Sequence, residues 1–230
     1  MSAIAEQRVE WAAALMRRGP WLTLLFTACA LALGSSREFE FDRALVWQGQ
    51  WWRVLTGHFV HYGRAHAVGD IVAFFGWGLV IEAISRKLFA ATVCVSSFVV
   101  GLCVLVLCPY VSRYAGLSAV DVALATVLLG VLWYSPWVRA LPNSRALVSI
   151  FALGHLAKTA YEFATGAAVL APDLGPDVRL LPAAHLFGAA SGLMVFALHR
   201  LRPRADSSRP FTKEKARHPG GPASARARRP

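Results

Sequence analysis

AHAVGDIVAFFGWGLVIEAI occupies residues 65–84, and LFAATVCVSSFVVGLCVLVLC follows at residues 88–108. Each run is as long as the roughly 20 apolar residues that a helix needs to cross the hydrocarbon core of a bilayer. Working outward from this pair, we find four further apolar runs, at residues 16–34, 116–133, 145–170 and 180–198. All six are too long and too continuously apolar for the alternating strands of a membrane barrel. The sequence therefore predicts an all-α membrane protein with a bundle of six transmembrane helices.

The composition supports a membrane protein and excludes several other classes. Of the 230 residues, 56% are hydrophobic and only 16% are charged, whereas about a quarter of the residues of a soluble domain are charged. These figures exclude a disordered chain, a collagen and a disulfide scaffold. The four cysteines form no CxxC pair, and no histidine spacing completes a metal site. We therefore expect neither a metal nor a cofactor.

The positive charge is concentrated at the C-terminal end of the chain. The net charge is +11, and ten of the 24 Lys and Arg residues lie from Arg200 onward. Residues 200–230 also hold Pro, Gly and Ser and almost no apolar side chains, which is typical of a disordered tail. We divide the chain into a cytoplasmic segment (1–15), a membrane domain (16–199) and a basic cytoplasmic tail (200–230), and we expect no nucleic-acid partner.

Basic residues also predict the orientation of the helices in the bilayer, because cytoplasmic loops carry an excess of Lys and Arg. Seventeen basic residues fall on the side that includes both termini, and six fall on the opposite side. Both termini are therefore predicted to be cytoplasmic, and the long loop at residues 35–64 lies outside. Its tryptophans among Arg and His residues are typical of a segment in the membrane interface. In that loop we expect His58 and His61 to be solvated or to face lipid headgroups.

Ionisable side chains inside the predicted spans are candidates for function, since they are costly to place there. His66, Ser118 and His185 each lie a few residues inside the outer end of a span. A serine beside a histidine is the minimum for nucleophilic acyl transfer, because the imidazole takes the hydroxyl proton. Ser118 lies at a loop-to-helix junction, where free backbone N–H groups can bind an oxyanion. Gly188 and Gly192 have the spacing that lets two helices approach closely.

Several of these polar residues have alternative interpretations. Ser118 and Asp121 stand at the spacing of a capping box, in which Ser118 is a helix N-cap and Asp121 is favoured by the helix dipole. Lys158 and Glu162 stand four residues apart in the fifth span, which predicts an intrahelical ion pair that His155 can join. In the alternative interpretation, His155, Lys158 and Glu162 are the proton or ion path of a small transporter.

Four motifs occur in order along the chain: WRVLTGHFVH at residues 52–61, HAVGD at 66–70, GLSA at 116–119 and HLFG at 185–188. Together they resemble the rhomboid family of intramembrane serine proteases, and the resemblance covers about residues 48–198. The first motif and the pair of Lys158 and Glu162 are most similar to the rhombosortase branch of bacteria.

The resemblance implies a six-helix rhomboid-like bundle in which Ser118 is the nucleophile and His185 is the general base. It implies that His66 donates to the oxyanion together with the Ser118 backbone N–H. Asp70 stands where rhomboid proteases commonly have an asparagine as a further oxyanion donor. The implied substrates are membrane-anchored proteins cut near the outer face of the bilayer, and rhombosortases process C-terminal Gly-Gly sorting signals. The implied location is the bacterial inner membrane.

Asp70 departs from the family pattern. An ionised carboxylate donates no hydrogen bond and repels an oxyanion. Two charges about 4 Å apart at an effective dielectric of about 20 interact by about 4 kcal/mol, which is enough to cripple the step. Asp70 is therefore protonated, or it turns away and pairs with His66, or catalysis is weak. The main alternative function is accordingly a catalytically inactive rhomboid-like protein that binds transmembrane helices.

Overall fold

The computed structural model describes residues 19–166 and 181–201 of the chain. These residues are mostly helical, with one pair of two-residue strands. The elements in chain order are α1 (Trp21–Leu33), β1 (Phe41–Asp42), α2 (Arg43–Trp47), α3 (Arg53–Thr56), a 3-10 turn (Gly57–Phe59), α4 (Arg64–Ile84), α5 (Arg86–Leu107), β2 (Arg113–Tyr114), α6 (Ser118–Tyr134), α7 (Pro136–Arg139), α8 (Ser144–Thr165) and α9 (Pro182–Leu201).

Six of these helices have 13 residues or more, and each overlaps one of the six predicted spans. Helices α4, α5 and α9 are long and apolar enough to cross a membrane, while α1 and α6 are apolar but shorter, with 13 and 17 residues. The predicted helical architecture is thus confirmed, whereas the count of six crossings and the side of the termini stay predictions. The predicted N-terminal segment, nearly all of the predicted tail and parts of three predicted spans (16–18, 167–170 and 180) lie outside the described residues.

Helix α6 contacts α4, α5, α8 and α9 and lies at the centre of the bundle. Every side chain from Ala119 to Ala125 is buried, as expected for a helix that is apolar on all faces. A Cβ atom at Gly188 would lie 2.1 Å from the Ala119 carbonyl oxygen, and one at Gly192 would lie 2.6 Å from that of Ala123. The two glycines thus let α9 approach α6 closely, as their spacing predicted, and the two helices run parallel in this register.

The outer loop between α1 and α4 is held to the bundle by arginines. The Arg43 guanidinium donates to carbonyl groups that the end of α5 leaves without helical partners, those of Val104, Leu105 and Cys108. Arg53 is buried, and it donates to the backbone carbonyl groups of Arg37 and Glu40. The loop is therefore a folded cap over the helix ends.

The side chains of this loop divide into an exposed and a buried set. The exposed set fits the predicted membrane interface and comprises Trp47, Trp51 and Trp52. The expectation that His58 and His61 are solvated was wrong, because they are only 0% and 2% exposed. The His58 Nε2 atom lies 2.9 Å from the carbonyl oxygen of Ser97 in α5, and burial lowers the pKa of His58 to about 4. The loop folds back on the helices, so these two histidines lie inside the protein rather than in solvent.

A buried carboxylate, that of Glu82, joins the end of α4 to the start of α1. It accepts hydrogen bonds from the backbone N–H groups of Leu22 and Thr23, at 3.1 and 2.8 Å. Arg86, four residues after Glu82, donates to it at 3.2 Å. The first N–H groups of a helix have no partner within the helix, so Glu82 completes the hydrogen bonding of α1.

Candidate active site

Ser118 is the first residue of α6 and follows a tight backbone turn at Gly116. The φ angle of Gly116 is +119°, a conformation that favours glycine. A Cβ atom at this position would lie 2.8 Å from His66 Cε1, so the turn also brings the backbone against the His66 ring. The N-cap residue of α6 is Leu117. The alternative interpretation of Ser118 as the N-cap was therefore wrong.

The carboxylate of Asp70 lies at the centre of the polar groups around this turn. Its Oδ2 atom accepts a hydrogen bond from the Ser118 backbone N–H at 3.0 Å. The same oxygen lies 3.2 Å from His66 Nε2 and 3.3 Å from His61 Nε2. Asp70 is thus paired with His66, as considered from the sequence, but it does not turn away from the Ser118 backbone N–H, and His61 adds a third nitrogen.

The Asp70 carboxylate contacts the groups that were predicted to stabilise an oxyanion. Those groups are the Ser118 backbone N–H and His66, and both contact the Asp70 carboxylate. A carboxylate oxygen surrounded by N–H donors resembles the oxyanion of a tetrahedral intermediate in charge and hydrogen bonding. The protein's own Asp70 therefore lies where a reacting substrate would need these donors.

His185 lies near the start of α9 and contacts a carboxylate on α8. Its Nδ1 atom lies 3.0 Å from Glu162 Oε2, and the side chains of the two residues are 2% and 1% exposed. Lys158, four residues before Glu162, lies 2.7 Å from Oε1 and donates to Oε2 at 2.9 Å. The predicted ion pair of Lys158 and Glu162 is thus confirmed. The His155 ring instead packs against Trp77, with the ring centroids 6.2 Å apart.

The register of α6 and α9 bears on the predicted dyad of Ser118 and His185. Ala119, which contacts Gly188, directly follows Ser118, and His185 precedes Gly188 by three residues. Both side chains therefore belong to the same end of two closely packed parallel helices. The hydrogen bonds within residues 19–166 and 181–201 include one from the Ser118 backbone N–H and none from its hydroxyl. The dyad itself stays a prediction.

The sequence was compared with known protein families and with curated proteins. A family model of the Rhomboid domain matches residues 48–202, which is more than half of the chain. The chain belongs to the rhomboid family. It is similar to the rhomboid protease GluP of Bacillus subtilis (strain 168), with 24% identity over 222 residues that cover 84% of this chain and 44% of that protein. This rhomboid-family chain thus spans less than half the length of that relative.

Family membership and the apolar helices together identify an integral membrane protein. Within the described parts of this rhomboid-family chain, no group of three or more His, Cys, Asp or Glu side chains has the geometry to hold a metal ion. The polar side chains at the site are those of Ser118, the histidines, the partly buried Asp70 and the buried Glu162.

Two features of this rhomboid site were missed by sequence reasoning. His61 was assigned to the headgroup region, although it is close in sequence to His66 and Asp70 and that proximity was a usable signal. The contact of Glu162 with His185 had no such signal, because the two residues are on different helices and the spacing of Lys158 and Glu162 already explained the carboxylate.

Proposed function

We propose that this protein is an intramembrane serine endopeptidase that cleaves membrane-anchored proteins near the outer face of the bilayer. The observation that supports it most is the close contact of Ala119 with Gly188, one residue after Ser118 and three residues after His185. The family membership and the printed name of the Bacillus subtilis relative, a rhomboid protease, support the same chemistry.

In the proposed reaction, Ser118 Oγ attacks the carbonyl carbon of the scissile peptide bond while His185 takes the hydroxyl proton. The C–N bond then breaks, the nitrogen leaves as an amine with that proton, and an acyl ester remains on Ser118. Water that gives a proton to His185 hydrolyses the ester. The carboxylic product is released, and Ser118 regains its hydroxyl proton from His185.

The proposed oxyanion donors are the Ser118 backbone N–H and His66. Both contact Asp70 Oδ2, at 3.0 and 3.2 Å. The Asp70 carboxylate must therefore move away or take up a proton before the oxyanion forms, since two negative charges at this distance repel strongly. In the proposed mechanism Asp70 belongs to the oxyanion site as an obstacle that limits the rate.

The proposal extends to a rhombosortase-like substrate, a membrane-anchored protein with a C-terminal Gly-Gly sorting signal in the bacterial inner membrane. The motif at residues 52–61 and the pair of Lys158 and Glu162 support it, because they carry the resemblance to that branch. A reporter that bears a Gly-Gly signal should be cut, and the same reporter with Ala-Ala at those positions should stay intact. Equal cutting of both reporters would remove this extension while leaving the protease proposal in place.

Labelling with a fluorophosphonate probe tests the protease proposal directly, because the probe reacts only with an activated serine. The wild-type protein, reconstituted in lipid vesicles, should be labelled, and Ser118→Ala and His185→Ala should not. Ser112→Ala is the matched control, since Ser112 is exposed and precedes the same turn. Labelling that survives Ser118→Ala would refute the assignment of the nucleophile.

A second candidate function is a catalytically inactive rhomboid-like protein that binds transmembrane helices. The contact of Asp70 with the Ser118 backbone N–H favours it, because this N–H is already engaged. This candidate expects folded wild-type protein that binds a transmembrane peptide in vesicles and is not labelled. The transporter alternative is not proposed, because Glu162 contacts Lys158 and His185 and the His155 ring packs against Trp77.

A further inference from the structure

The contact between Glu162 and His185 is buried and joins two helices. Glu162 Oε2 lies 3.0 Å from His185 Nδ1, and both side chains are at most 2% exposed. A carboxylate in so dry a place needs partners, because an unpaired buried charge is strongly destabilising. Lys158 supplies one of these partners from the preceding turn of α8, at 2.7 Å from Oε1.

The proximity of the Glu162 carboxylate bears on which nitrogen of the imidazole carries the proton. An ionised carboxylate only accepts hydrogen bonds, so Glu162 Oε2 at 3.0 Å favours the neutral tautomer in which His185 Nδ1 carries the proton, because a lone pair on Nδ1 would face that of the oxygen. The lone pair is then on Nε2, at the opposite side of the ring from Glu162. A general base needs this lone pair to take a proton from a hydroxyl group.

We infer that Glu162 is a positioning residue for the general base: its carboxylate binds His185 Nδ1–H, fixes the tautomer and the ring orientation, and stabilises the imidazolium that forms during the reaction. This inference rests on the proposed function, in which His185 deprotonates Ser118. In this inference the roles of carboxylate, imidazole and hydroxyl follow the logic of a serine protease triad, with the carboxylate on α8 and the base on α9.

Lys158 gives the arrangement a charge balance that can be tested. With neutral His185, Glu162 and Lys158 cancel, whereas protonation of His185 leaves one net positive charge. Glu162 therefore favours the imidazolium and Lys158 opposes it. Asp121 on α6, which interacts electrostatically with Lys158, and His155 on α8 are the other titratable groups close to this cluster.

The experiment measures the second-order rate of fluorophosphonate labelling of Ser118 against pH in reconstituted vesicles. Glu162→Gln should lower the rate by about 100-fold or more and should move the acid limb of the profile to lower pH, because the imidazolium loses its carboxylate. Lys158→Met should move the acid limb to higher pH. Glu162→Asp, which retains the charge, should recover part of the rate lost in Glu162→Gln.

Glu82→Gln is the matched control. Glu82 is also a buried carboxylate that pairs with a basic residue four positions away, Arg86, but it joins α4 to α1. This variant should lower the midpoint of thermal unfolding and leave the pH profile unchanged.

The failures of the two proposals are distinguishable. Wild-type protein without Ser118-dependent labelling overturns the proposed function and this inference with it. A labelled wild type whose acid limb does not move in Glu162→Gln or in Lys158→Met overturns the inference alone. If Glu162→Gln does not fold, the shift in Lys158→Met decides the outcome, and its absence is again a refutation.

Discussion

At the scale of single residues, Asp70 has the largest consequence for the chemistry. Its Oδ2 atom lies within 3.3 Å of three nitrogens, namely the Ser118 backbone nitrogen and the Nε2 atoms of His61 and His66. An asparagine of the same shape would present a donor to the oxyanion and carry no charge. In the proposed mechanism the Asp70 carboxylate therefore limits the rate of the reaction.

We expect Asp70→Asn to raise the rate of fluorophosphonate labelling of Ser118 by about tenfold or more, because a single oxyanion donor is worth about 10²–10³ in rate. Asp42→Asn is the control. Asp42 caps α2 by accepting a hydrogen bond from the Leu45 backbone N–H, and asparagine caps about equally well, so labelling should not change. A folded Asp70→Asn protein that reacts no faster than wild type would show that the carboxylate is no obstacle.

At the scale of secondary structure elements, the close contact between α6 and α9 places Ser118 and His185 at the same end of two packed helices. We expect Gly188→Ala to separate the two helices, since its Cβ would lie 2.1 Å from the Ala119 carbonyl oxygen. Overpacking of this kind costs about 1–3 kcal/mol, so the midpoint of thermal unfolding in detergent should fall and Ser118 labelling should be lost.

Gly154→Ala is the matched control for this helix contact. Gly154 is also a helical glycine, on α8, but nothing lies within 4 Å of an added Cβ. Alanine is the better helix former by about 1 kcal/mol, so this variant should be as stable as wild type or more stable. Equal effects of the two substitutions would mean that the loss arises from helix propensity rather than from the contact.

The long helices were predictable from the sequence, the short helices and the strand pair of the outer segments were not predicted, and the contacts between the long helices were only partly predictable. Long apolar runs specify helices because lipid leaves a chain few other ways to satisfy its backbone, and the i,i+4 spacing of Lys158 and Glu162 specifies a local pair. The glycine spacing at 188 and 192 indicated a close helix contact. The orientation of Glu162 toward His185 depends on how α8 packs against α9, and no local pattern encodes that.

At the scale of the whole molecule, the buried histidine of the outer loop makes stability depend on pH. Burial lowers the pKa of His58 to about 4 from the 6.5 of a free side chain. Between these values the unfolded chain binds a proton that the folded chain does not. The contribution of His58 to stability is therefore complete above about pH 6.5 and falls by up to about 3 kcal/mol as the pH decreases toward 4.

We expect His58→Gln to lose less stability than the wild type between pH 6.5 and 4, because glutamine retains a donor for the Ser97 carbonyl group and takes up no proton. Thermal unfolding in detergent at a series of pH values measures the difference. His199→Gln is the control, since His199 is exposed. Parallel curves for wild type and His58→Gln would contradict the prediction.

The match of the family model begins at residue 48, but residues before it contact the segment that leads into Ser118. Strand β1 pairs Phe41 with Tyr114, just before the turn that leads into Ser118, and the Arg43 backbone N–H donates to the Ser112 carbonyl oxygen at 2.9 Å. A recombinant fragment that begins at residue 48 would lack this strand pairing. It would also lack the Arg43 guanidinium, which donates to carbonyl groups at the end of α5. Recombinant fragments of this protein should therefore start upstream of α1, because Phe41 and Arg43, which hold the segment leading into Ser118, lie outside the residues that the family model matches.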